Sequence, residues 1–249
     1  MTIESETSVP ELKSLGSEFV GKEVELFYEY SYGYRPREIT MQVSLLRELF
    51  PGIGSADEWV ASQPVPRSAE CLFAIPRWEA IAREYAEALK KVLALISKTR
   101  RGKFYSWWPE DRLAPDWFRQ QERTVMMFNK LGEQQKGHDI IIIPAQLGLS
   151  HAGRSIPRAR SMFRENEFGL GAFTVGIILL THPERLVNHE DLWADCAGDE
   201  VSPEADGDFS DVPVFNFNGK RRNGRAEFDI RWGDEAFEES GSASGFLFS

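Results

Sequence analysis

Apolar residues along the chain change period several times, and each change marks an element. Glu23-Val24-Glu25-Leu26-Phe27-Tyr28-Glu29-Tyr30 puts Val24, Leu26, Tyr28 and Tyr30 on one face, which predicts a half-buried strand. Ile39, Val43, Leu46, Leu49 and Phe50 recur at helical spacing until Pro51-Gly52 stops them. Cys71-Leu72-Phe73-Ala74-Ile75 then predicts a short buried strand, and Pro76 suits the first turn of a long helix. That helix carries Trp78, Ile81, Tyr85, Leu89, Val92 and Ile96 on its inner face. A second helix is expected over residues 115–134, with Trp117, Phe118, Val125, Phe128 and Leu131 as its buried stripe.

Ile140-Ile141-Ile142-Ile143 are four consecutive β-branched residues, the pattern of a central strand buried on both faces. Residues 172–181 are apolar throughout, and Gly171 and Gly176 disfavour a helix, so a further strand is predicted there. Residues 214–217 and 226–230 alternate and are separated by Asn218-Gly219 and Asn223-Gly224, the signature of a C-terminal hairpin. The tail over residues 241–248 reads either as a flexible end or as a last strand. Together these elements predict one α+β domain over residues 22–249, a mixed β-sheet with helices packed on it, behind a mobile lead-in over residues 1–21. Strand, helix and strand in succession suggest βαβ-like crossovers within that sheet.

Composition narrows the class. Hydrophobic residues make up 42% and charged residues 27% of 249, which supports a globular core and excludes global disorder. The 29 basic and 39 acidic residues leave a net charge of −10, which argues against nucleic acid and anionic membrane as partners, since both want a basic face. The longest apolar stretch, residues 168–181, falls short of the roughly 20 residues a membrane helix needs. Two cysteines, Cys71 and Cys196, are too few for a disulfide framework, and early acids stand where a leader would carry lysine or arginine. The expectation is a cytoplasmic chain with reduced thiols.

No motif fixes a reaction, so whether the chain is an enzyme is left open. The most informative stretch is residues 144–167, just past the central strand, where Arg154, Arg158, Arg160 and Arg164 occur before any acid. Ligands of open sheets with parallel strands sit beyond the strands' carboxyl ends. Gln146, His151, Arg154, Ser155 and Arg158 are therefore the candidate anion-binding residues, helped by free amides if a helix starts near Ser155. The leading expectation is a binding or interaction protein that takes an anionic small molecule or an acidic protein surface. The bland alternative is that these arginines neutralise the acidic tract at residues 184–208, which holds nine acids against Arg185 alone.

A second reading takes Asp195, Asp199 and Glu200 as oxygen ligands of a divalent metal cofactor in a phosphoester hydrolase. Cys196 with His151 or His182 is a further nucleophile and base candidate, set against the commoner outcome of a buried thiol. The P-loop spacing, the Gly-x-Ser-x-Gly elbow and a full Gly-x-Gly-x-x-Gly are missing, Gly169-Leu170-Gly171 coming nearest. The aromatic run Phe104, Tyr105, Trp107 and Trp108 beside Arg100, Arg101 and Lys103 could stack bases or sugars, or cap the core.

Overall fold

A computed structural model describes residues 30–219 and 224–248. The lead-in and all but Tyr30 of the strand expected over residues 23–30 lie outside the described residues. Among the described residues, two sheets packed together with six α-helices give the expected α+β class.

The first sheet runs β1 (Cys71–Pro76), β4 (Ile140–Gln146), β11 (Ser244–Phe246) and β5 (Glu167–Gly169), every pair antiparallel. The second is mixed. Its centre is the hairpin of β8 (Asp211–Asn218) and β9 (Arg225–Trp232), paired from Asp211 opposite Trp232 to Asn218 opposite Arg225. Strand β2 (Phe104–Ser106) adds to β9 in parallel, while β6 (Trp193–Asp195) and β7 (Asp199–Val201) share the other edge of β8. Strand β3 (Phe118–Gln120) extends from β7, and β10 (Ser240–Ser242) lies parallel to β6. The tail is therefore two strands, β10 in one sheet and β11 in the other, and it stitches the sheets together through Ala243.

The expected crossover between the first and central strands is corrected. Strands β1 and β4 are antiparallel, because the chain between them leaves for the second sheet to form β2 and β3 before returning. Helix α1 (Ile39–Leu49) falls where the periodicity placed it, and α2 (Glu58–Ala61) is a single turn capped by the Asp57 carboxylate. Helix α3 (Tyr85–Thr99) starts later than Pro76, after one 3-10 turn at Trp78–Ala80. Helix α4 (Glu122–Gln134) is likewise shorter at its start, because pairing with β7 draws Phe118–Gln120 into a strand. Helix α5 (Ile156–Met162) follows β4.

The strand expected at residues 172–181 is α6 (Ala172–Thr181), buried at every position. It lies against α3, against β1 of the first sheet and against β8 of the second, so it has no polar face to reveal a helical period. Gly176 is what allows this. A Cβ there would stand 2.7 Å from Val92 Cγ1 of α3, so the glycine admits a close helix approach that outweighs its poor propensity.

Strand β4 is buried along its whole length, yet β11 covers only its last two residues. The uncovered part is closed by a side chain. Gln135 Nε2 donates to Ile142 O at 2.8 Å and Gln135 Oε1 accepts from Ile142 N at 2.7 Å, as a neighbouring strand would. Gln42 of α1 does the same for the outer edge of β1, donating to Leu72 O and accepting from Ala74 N. Gln135→Met keeps the length and removes the amide, leaving two buried backbone groups unpaired at about 1–3 kcal/mol each. A stability loss of about 2–4 kcal/mol in urea denaturation, at unchanged denaturant slope, is the expected result.

Candidate functional site

Beyond Gln146 the chain is gripped from two sides. On one side Leu147 N donates to Glu70 Oε1 at 2.8 Å, and Leu147 O accepts from Arg185 Nη2 at 2.9 Å. Arg185 is 1% exposed, also donates to Leu192 O, and holds its guanidinium carbon 4.1 Å from the centre of the Tyr30 ring. The Tyr30 hydroxyl donates to Glu70 Oε1. No carboxylate among the described residues comes within ion-pair distance of Arg185. Burial pulls its pKa down to about 10 and pushes Glu70 up to about 7, the Leu147 amide and Arg185 opposing the latter shift.

On the other side Gln146 organises the turn. Its Nε2 donates to Ser242 O and Ser244 Oγ, both at 2.8 Å, and its Oε1 accepts from Gly148 N at 2.6 Å. His151 Nε2 lies 2.7 Å from Glu167 Oε1, which also accepts from Ser244 Oγ at 2.6 Å. Burial alone would raise the Glu167 carboxyl, but the hydrogen bonds from His151 and Ser244 outweigh it and hold it below its ordinary value. Gly153 N donates to Ser240 O, which ties residues 148–153 onto β10.

Six side chains at this place have a buried polar atom with no hydrogen bond: Glu70 Oε2, His151 Nδ1, Ser155 Oγ, Arg185 Nε, Ser240 Oγ and Ser242 Oγ. Native interiors rarely leave such atoms unpaired, and here they concentrate around the end of one strand. Comparison with protein-family profiles, curated proteins and solved structures found no match.

Of the anion-binding candidates, Gln146 and His151 share this polar layer, while Ser155 is buried as the residue before α5. Arg154 Nη1 donates to Ser150 O at 2.6 Å, and Arg158 sits half-buried on α5. The location does not lie at the carboxyl ends of parallel strands as expected, since both strands that neighbour β4 are antiparallel to it. The amide that opens α5, Ile156 N, is already spent on Gly233 O. Arg160 follows the bland reading, donating to Ala197 O and Asp199 O and pairing with Glu200 at 3.3 Å.

Asp195, Asp199 and Glu200 do not converge as a ligand set. Asp195 is fully buried and bound by both arms of Arg231, at 2.7 and 2.6 Å. Asp199 and Glu200 are neighbours on β7, so their side chains leave opposite faces. Asp199 turns in to cap α6 through Ala172 N at 2.6 Å and meets the Tyr85 hydroxyl at 3.0 Å, while Glu200 turns out to Arg119 and Arg160. Burial raises Asp199 to about 7. Among the described residues no group of three or more His, Cys, Asp or Glu side chains is placed to hold a metal.

The cysteine readings resolve as packing. Burial raises the Cys196 thiol well above its ordinary value, and its Sγ reaches only Ala194 O. His182 is held near 4 by burial and Arg37, with Nε2 accepting from Arg37 N. Gly169 and Gly198 bring two backbones too close for any Cβ, which accounts for the glycines around Leu170. In the aromatic run Phe104 is core, whereas Tyr105 and Trp107 are exposed and receive Arg225 over their rings. No helix of the described residues is long and apolar enough to cross a membrane.

Sequence reasoning missed Glu70, Arg185, Glu167 and the serines of the tail. Ser240, Ser242 and Ser244 recur with period two, which was a legible sign of a strand with one polar face. Glu70 carries a pH signature. Because its folded pKa is raised, the stability it contributes is complete below about 4.5 and is lost as the pH climbs through about 7. Wild-type stability should lose this contribution between about pH 4.5 and pH 7, and Glu70→Gln, which mimics the neutral acid, should fall less over that range. Urea denaturation of both proteins at each pH checks this, since the difference between them cancels the opposing slope of His182, whose pKa is lowered in the fold.

Proposed function

We propose that the protein is a binding protein for a small anionic ligand, held by the polar layer past β4 and by Arg154 and Arg158 beside it. The observation that carries this reading is the concentration of unpaired buried polar atoms there. Most are donors: the Arg185 Nε–H and three serine hydroxyls want acceptor oxygens, which a phosphate or carboxylate supplies.

The test uses inorganic phosphate and malonate as probes, followed by amide chemical shifts. Both should perturb residues 146–156 and 240–244, and the Arg154→Glu, Arg158→Glu double variant should lose binding at least about tenfold while staying folded, as two charge reversals at an anion site predict. Ser242→Ala should weaken binding yet stabilise the free protein by about 1 kcal/mol, because it removes an unpaired buried hydroxyl. A folded double variant that binds both probes as wild type does would overturn the reading.

A further inference from the structure

A separate cavity of about 110 Å³ lies between α4, α6 and the chain after β1, away from the β4 end. Its walls are apolar where Phe128, Ile141 and Phe173 face it. Two polar groups in it lack the partners their chemistry calls for. Thr174, in the first turn of α6, is 3% exposed, and its hydroxyl makes no hydrogen bond among the described residues. Arg77 donates to the carbonyls of His138, Gly132 and Gln135 through Nε and Nη2, which leaves Nη1 unused. No carboxylate among the described residues pairs with Arg77. A cation and an unpaired hydroxyl thus line one cavity with an apolar wall, beside the exposed Glu79, while the first amides of α6, Ala172 N and Phe173 N, are taken by Asp199 and the Tyr85 hydroxyl.

We propose that this cavity binds a short-chain carboxylate of about two to four carbons, its carboxylate on Arg77 and Thr174 and its chain against Phe128, Ile141 and Phe173. Size sets the limit, since a cavity of about 150 Å³ is filled by benzene and this one is smaller. Charge sets the class. Arg77, which has no carboxylate partner among the described residues, favours an anion over a neutral or cationic head group of equal size, and the opposing Glu79 is exposed at the lining and turned toward water. The inference uses none of the residues of the β4-end site and stands apart from it.

The experiment compares propionate, propionamide and n-propylamine by amide chemical-shift titration of the full chain. Propionate should shift Thr174, Asn129 and Phe128, with propionamide at least about tenfold weaker and n-propylamine inactive. Thr174→Val, which keeps the shape and removes the hydroxyl, should weaken propionate roughly five- to tenfold. Asn129→Trp at the exposed mouth should block it, and decides the matter if the threonine variant fails to fold. Equal binding of propionamide, unchanged binding by a folded Thr174→Val, shifts confined to residues 146–156, or no binding by any probe would overturn the proposal.

Discussion

Strand β4 has to satisfy every one of its backbone groups inside protein, because all seven of its residues are buried. Much else follows from that requirement. Strand β1 serves one edge along its full length, while the other is shared by a two-residue contact with β11, the Gln135 amide and the carbonyl of Ser55. The tail must therefore return from the second sheet to reach β4, and in returning it delivers Ser242 and Ser244 to Gln146. The polar layer is thus built where the strand stops being covered by backbone and side chains take over.

Charge is handled by the same economy. The net charge of −10 suggests an acidic surface, yet several acids of residues 184–208 are consumed internally. Glu184 pairs with Arg37, Asp195 with Arg231, and Glu200 with both Arg119 and Arg160. The doubly bonded Asp195 and Arg231 pair is shielded from water, so losing one partner would strand the other. Arg185, the one base in that tract, meets no carboxylate at ion-pair distance among the described residues and is instead spread over two carbonyls and an aromatic face.

How much of this could be read from the residues depends on distance along the chain. Strand β4, strand β1, helix α1 and the hairpin of β8 and β9 follow local period, and local period is what a sequence displays. Helix α6 failed that test because a helix buried on every side has no stripe, and Gly176 argued for the wrong reason. Asp195, Asp199 and Glu200 looked like a cluster because they are close in sequence, but strand alternation sends adjacent side chains apart. Glu70 and Arg185 lie 77 and 38 residues from Leu147, and nothing local in either sequence neighbourhood announces that they will meet there. His151 and Gln146 were found because they follow the central strand directly.

Gln42 has an effect that reaches past the single molecule. By occupying the groups of Leu72 and Ala74 that a further strand would use, it ends the sheet at β1 with a side chain from α1. An extended segment from another chain that tried to add there would first have to displace a buried amide. The sheet is closed against growth at that position by a helix residue, so crowded copies of the protein gain nothing by lining up along it.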